Sequence, residues 1–159
     1  MTNYGIDKTT FYCPHYYLKL DTLAKSRGID PERFRTGLGQ EQMAVTPPDE
    51  GVVTMAANAA YRLIEGEDKQ QIKMLLFATE SGIDQSKSAG IFVHQLLGLS
   101  KQCRVVELKQ ACYSATVGIR MALNHIKCNP DEKVLVIASD IARYGLNTGG
   151  ESSQGGGAV

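Results

Sequence analysis

Three strand-like runs recur at a regular interval along the chain: Met74-Leu75-Leu76-Phe77-Ala78, Arg104-Val105-Val106-Glu107-Leu108 and Val134-Leu135-Val136-Ile137-Ala138. The first and third are apolar at every position, which is the pattern of strands covered by helices on both faces. The segments between them, 86–97 and 114–127, carry apolar residues at helical spacing. Strand–helix–strand alternation of this kind predicts right-handed crossovers and a mostly parallel sheet, hence an α/β fold. Upstream, 6–12 reads as a first strand closed by Pro14. Asp21 is placed to cap a short helix running to Arg27, with Gly28 ending it. Asp30-Pro31-Glu32 is a second helix start, with a capping side chain, a proline in the first turn and an acid behind it; Gly37 and Gly39 close that helix. After Pro47-Pro48-Asp49 a helix is expected over 50–65, with Val53, Ala56, Ala57, Ala60 and Ile64 on one face. Gly149-Gly150 and Gly155-Gly156-Gly157 read as flexible loop, and Ala158-Val159 as the first step of a new strand. A domain rarely stops there, so 1–159 is expected to be one domain and the first part of a longer protein.

Composition narrows the function classes. With 159 residues, 43% of them hydrophobic and 21% charged, the chain has the balance of a single globular domain and not of a disordered one. Lys+Arg and Asp+Glu are both 17, so nothing marks a surface built to neutralise phosphates, and no nucleic-acid partner is expected. No apolar run approaches the roughly 20 residues of a membrane span. The four cysteines, Cys13, Cys103, Cys112 and Cys128, form no C-x-x-C pair, and no histidine cluster has metal spacing, so no zinc site is expected. Without a secretory apolar stretch after Met1, the cysteines read as free thiols in a reducing cytoplasm.

In open α/β sheets ligands bind beyond the carboxyl ends of the strands. Three loops qualify: Thr79-Glu80-Ser81-Gly82, Gln110-Ala111-Cys112-Tyr113-Ser114, and Ser139-Asp140 leading to Arg143-Tyr144-Gly145. Cys112 stands between a strand and a helix whose first turn holds Ser114 and Thr116 and no acid. Free N–H groups and the dipole of a helix N-terminus favour a thiolate and can stabilise an oxyanion. The alternative is a small buried residue at a tight turn. Glu80 ends an apolar strand; partial desolvation would raise its pKa and suit it to proton transfer, and the alternative is a capping or surface acid. On adjacent parallel strands the two side chains are expected to converge. His94 and His125 fall within helices as face residues, His15 lies in a loop, and Cys103 and Cys128 read as inert.

At these residues the chain resembles a known family. Phe77-Ala78-Thr79-Glu80-Ser81, Glu107-Leu108-Lys109-Gln110-Ala111-Cys112-Tyr113 and Ser139-Asp140-Ile141-Ala142-Arg143-Tyr144-Gly145-Leu146-Asn147 are similar to stretches of hydroxymethylglutaryl-CoA synthases of the bacterial mevalonate type. Gly5-Ile6-Asp7-Lys8, Gly149-Gly150-Glu151 and Gln154-Gly155 extend the likeness over essentially the whole chain. The resemblance implies a thiolase-like layered αβαβα fold, of which the chain holds the N-terminal half. It implies condensation of acetyl-CoA with acetoacetyl-CoA, with Cys112 carrying the acetyl group and Glu80 as general acid/base, CoA thioesters as substrates, no separate cofactor, and a homodimer. By the same resemblance Asp30, Tyr144 and Ser153 match positions near the substrate. The family's catalytic histidine lies in the second half, and none of His15, His94 or His125 matches it, so these residues alone are expected to be inactive.

Other readings stay open at this point. A synthase that adds an acetyl-derived carbon to a β-ketoacyl chain on a carrier protein has a similar Glu-Leu-Lys-Gln-Ala-Cys-Tyr-Ser stretch. A non-catalytic partner with a vestigial site is a different class, against which the pairing of Cys112 with Glu80 argues. A cysteine hydrolase would need a histidine base that the sequence does not offer, and no G-x-G-x-x-G follows a strand to bind a dinucleotide.

Overall fold

The computed structural model describes residues 4–159. Strand β1 (Tyr16–Lys19) is followed by α1 (Leu20–Arg27), α2 (Glu32–Arg35) and β2 (Gln42–Val45), and β1 pairs antiparallel with β2. Next come α3 (Val52–Ile64), β3 (Ile72–Ala78), α4 (Gly90–Leu97), β4 (Arg104–Leu108), α5 (Ser114–Cys128) and β5 (Lys133–Ile141). Helix α6 (Gly149–Ser153) and β6 (Gly156–Ala158) complete the described elements. The main sheet has the order β4-β3-β5-β6; β3 pairs parallel with both β4 and β5, and β6 runs antiparallel to β5. The sheet is mixed and mostly parallel, as the alternation predicts.

Strand pleating explains the two helical layers. Leu75 and Phe77 of β3 and Leu135 and Ile137 of β5 share a face with Ala56, Ala60 and Ile64 of α3 and Val93 and Leu97 of α4, forming the main core. On the other face α5 comes close because Gly118 has no side chain. A Cβ there would lie 3.2 Å from Leu108 and 3.2 Å from Val136. Leu20, Leu23, Ala24 and Phe34 form a smaller satellite core beneath the β1–β2 pair.

Several local expectations are corrected. The strand predicted over 6–12 is not one: only Tyr12 bridges, to Ala158, while Ile6 and Phe11 are exposed. The bridge is antiparallel, and β6 is short, so residues 6–11 face no ladder partner among the described residues. The helix expected from 86 starts at Gly90, because Asp84 Oδ1 takes the N–H groups of Ser86 and Lys87 into a turn. Asp21 sits inside α1 and does not cap it; Lys19 is the boundary residue, and Gly28, at φ 65°, ends the helix. Asp30 Oδ1 accepts the Glu32 N–H at 3.0 Å, but Pro31 and not Asp30 is the boundary residue of α2, which has no side-chain cap and is a single turn. The buried face of α3 is Val52, Met55, Ala56, Ala59, Ala60 and Ile64, with Val53 and Ala57 at its margin. Gly156 and Gly157, expected in a loop, pair with Ile141 and Asp140. Strands β1 and β2 were not foreseen; each is four residues with little burial, too short for a period-2 signal.

Candidate active site at the carboxyl edge of the sheet

Parallel register sets the site. Ala78 lies opposite Leu108 on one side and Ala138 on the other, so the three apolar runs end level; β5 itself continues to Ile141, so Ser139 and Asp140, expected in a loop, are strand residues paired with β6. Glu80 follows β3 by two residues, Asp140 lies the same distance past Ala138, and Cys112 stands in the turn between β4 and α5. Cys112 Sγ is 4.0 Å from Glu80 Oε1, at the limit of an S–H···O contact. The expected convergence of thiol and carboxylate is therefore observed. Both side chains are exposed, so the desolvation expected for Glu80 is not supplied by these residues.

The turn that presents the thiol is held from both sides. Ala111, just before Cys112, has φ 47°, a left-handed conformation that an L residue with a Cβ rarely adopts. Ser114 is buried, and its Oγ accepts the Gln110 N–H at 2.6 Å, closing the turn across the cysteine. The first turn of α5 carries no acid, so nothing there opposes negative charge on sulfur.

Sequence reasoning missed the residues that hold Glu80. Asp140 Oδ1 accepts from Thr79 Oγ1 at 2.9 Å, the Glu80 N–H at 2.7 Å, the Ser81 N–H at 2.9 Å and Ser81 Oγ at 2.6 Å. Ser81 Oγ in turn accepts the Ile141 N–H at 3.0 Å. One carboxylate oxygen thus gathers the backbone that carries the site glutamate. Glu107, within β4, was missed as well, and it fastens the start of α4. Its Oε2 accepts the Ala89 N–H ahead of α4 at 2.6 Å, and its Oε1 lies 2.7 Å from where a Cβ on Gly82 would be. The signal available was the one applied to Glu80: an acid at the end of, or inside, an otherwise apolar strand.

The other expected site residues are more dispersed. Tyr144 is exposed, its OH bonds Gln154 Oε1 at 3.2 Å, and its ring covers Gly150, where a Cβ would come within 2.3 Å of Cγ. Ser153 ends α6, with Oγ donating to the Gly149 carbonyl at 2.7 Å. Asp30 lies before α2 on the satellite unit, its Oδ1 taken by the Glu32 N–H. His94 Nε2 meets the Ser100 carbonyl oxygen at 2.9 Å and His125 Nε2 meets Glu132 Oε2 at 2.6 Å, so both have local partners. Burial pushes the Cys103 thiol pKa up. Among the described residues no helix is long and apolar enough to cross a membrane, and no cluster of three or more His, Cys, Asp or Glu could hold a metal ion.

A layered α/β sheet that brings a thiol and two strand-end carboxylates to its carboxyl edge has the form of a thiolase-like half-fold. The chain belongs to the hydroxymethylglutaryl-CoA synthase family: residues 1–159 match the family described as hydroxymethylglutaryl-coenzyme A synthase N terminal. A hydroxymethylglutaryl-CoA synthase of Enterococcus faecalis is 51% identical over 155 residues, covering 98% of this chain and 40% of the relative. A polyketide biosynthesis 3-hydroxy-3-methylglutaryl-ACP synthase of Bacillus subtilis, PksG, is 41% identical over 157 residues, covering 96% of this chain and 37% of the relative. A crystal structure described as HMG-CoA synthase complexed with CoA superposes with a TM-score of 0.92 at 46% identity, covering 97% of this chain and 40% of that one. The chain thus spans about two fifths of the length of the relatives it matches, and its architecture corresponds to an N-terminal half.

Proposed function

We propose that these residues form the acyl-accepting half of an enzyme that condenses acetyl-CoA with acetoacetyl-CoA to 3-hydroxy-3-methylglutaryl-CoA. The observation that carries the reading is the 4.0 Å approach of Cys112 Sγ to Glu80 Oε1. An acetyl group bonded to Sγ would hold its methyl within proton-transfer reach of that carboxylate. Sγ attacks the acetyl-CoA carbonyl, the S–CoA bond breaks, and CoA leaves as the thiol with the cysteine proton. Glu80 takes a proton from the thioester methyl, the resulting carbon attacks the ketone of acetoacetyl-CoA, and the new alkoxide takes a proton that restores the Glu80 carboxylate. Water then cleaves the Cys112 thioester, releasing product and restoring the thiol. Dividing one hard condensation into three steps is the logic of covalent catalysis. CoA thioesters enter as substrates, and no separate cofactor is invoked. Asp30, Tyr144 and Ser153 as substrate contacts, a homodimer, a cytoplasmic location and a place in mevalonate-type isoprenoid synthesis rest on the family resemblance.

A second reading takes the acetyl group from a carrier protein. It is favoured by the Bacillus subtilis ACP-type relative and by a solved curacin-pathway HMG synthase in complex with acetyl donor-ACP, 41% identical with a TM-score of 0.89. The higher identity of the Enterococcus faecalis relative supports the CoA reading. The test is intact-mass spectrometry of a full-length synthase bearing these residues, incubated with acetyl-CoA or with acetyl-carrier protein. One acetyl adduct from acetyl-CoA, lost in Cys112→Ser, is the expected result. Labelling by the carrier protein alone would establish the second reading, and no labelling by either donor would sink both.

A further inference from the structure

The loop that bears Tyr144 and Ser153 does not rest on the main sheet alone; it is fastened to the satellite unit at two points distant in sequence. Arg27, the last residue of α1, directs Nε to both carboxylate oxygens of Glu151, at 3.2 Å each, and Nη2 to Oε1. Only 14% of the Glu151 side chain is exposed, and its Oε2 also accepts the Asn147 N–H at 2.6 Å. Asn147 itself has φ 61°, so the carboxylate holds the loop at its most constrained residue. The second fastening is Gln40, whose Nε2 donates to the Ser153 carbonyl at 3.2 Å while its Oε1 is buried without a hydrogen-bond partner. A fold seldom keeps an orphaned buried acceptor, so the orientation of this amide is set by the bond to Ser153. Just past these points Gly155 is pressed on β2, where a Cβ would be 2.4 Å from the Ala44 carbonyl oxygen. A forked guanidinium on a carboxylate fixes direction as well as distance, which a single cation would not. The hydrogen bond with Arg27 also holds the Glu151 carboxyl below its usual range.

We propose that Arg27 and Gln40 are positioning residues that set the 143–155 loop, and with it Tyr144 and Ser153, in the geometry that receives the second acyl substrate. Neither residue touches the thiol turn, so the clamp acts on acceptor binding and not on acylation of Cys112. The inference rests on the condensing-enzyme reading above.

The test uses a full-length synthase bearing these residues, with Arg27→Met, Gln40→Leu and the charge exchange R27E/E151R. Acetylation of Cys112 by acetyl-CoA, followed by intact mass, should stay within about twofold of the parent in the single variants, while KM for the acceptor rises about tenfold with a smaller fall in kcat. Amide exchange should quicken at 147–154 in the single variants, and the charge exchange should recover part of the acceptor KM. Unchanged KM and unchanged exchange would overturn the proposal. So would a parallel loss of acetylation, KM and melting temperature, which marks a merely structural contact. If the parent takes up an acetyl group from neither acetyl-CoA nor acetyl-carrier protein, the condensing reading fails, and the exchange comparison alone still decides whether the clamp orders the loop.

Discussion

Asp140 shows how one side chain can organise a site without offering its own chemistry. Its Oδ1 accepts four hydrogen bonds from Thr79, Glu80 and Ser81, so the carboxyl edge of β3 is folded around an oxygen of β5. Removing it leaves two backbone N–H groups and two hydroxyls to find water, and Glu80 loses its fixed offset from Cys112. In a full-length synthase, Asp140→Ala is expected to lower kcat about a hundredfold through misplacement of Glu80. Asp140→Asn, which keeps an oxygen in place, should retain most of the rate. Equal losses in the two variants, measured by steady-state kinetics, would show that charge and not geometry is what Asp140 contributes. The same scale shows why the role of Asp140 was not legible: the sequence placed it in a candidate loop, yet its four donors come from a segment some sixty residues away.

At the scale of elements, the position of Cys112 depends on how closely α5 lies on the sheet. Gly118 allows that approach, with Leu108 and Val136 both 3.2 Å from the place of a missing Cβ. Gly118→Ala gains helix propensity of about 1 kcal/mol and loses part of it to crowding, so near-neutral stability is expected. Gly118→Leu must push α5 away from β4 and β5 and should cost about 1–3 kcal/mol, read from the denaturant midpoint. A leucine variant as stable as the parent would mean that α5 is free to shift. The helices themselves were legible: 114–127 and 50–65 were read within a few residues because their apolar spacing is dense. The start of α4 was not, because Asp84 captures the N–H groups that a longer helix would have used.

For the whole molecule, the first described residues are tied to the sheet by charge more than by pairing. Lys8 and Lys133 both bond Glu67, and Lys133 also lies 3.7 Å from Asp7. The Lys133 hydrogen bond, then that of Lys8, lowers the Glu67 pKa from the usual 4.5 to about 2. A carboxylate whose pKa is depressed by folding adds stability that is present above the unfolded value and lost as pH falls. The contribution of Glu67 should therefore be complete above pH 4.5 and fade toward pH 2, and salt should weaken it. Comparing the unfolding of Glu67→Gln with the parent across that window tests this; a difference independent of pH would refute it. Beneath the tethered segment an apolar cleft of about 440 Å³ runs between α3, α5 and the open side of β5, lined by Ile119, Leu123 and Ile126 among others.

The sequence by itself determined the periodic elements, their alternation, the mostly parallel sheet and the two residues that meet at its edge. These follow from local spacing: a strand reads in steps of two, a helix in steps of 3.6, and loops after parallel strands open on one side. Tertiary structure alone decided what spacing does not encode. It paired Gly156 and Gly157 with β5, left 6–11 unpaired, turned Ala111 to positive φ, made Asp140 the holder of Glu80, and joined Arg27 to Glu151. Apart from Ala111, whose turn is closed locally by the Gln110–Ser114 bond, each of these depends on groups that lie apart in the chain. Their energies depend on which surfaces meet after folding, and no window of neighbouring residues contains that information.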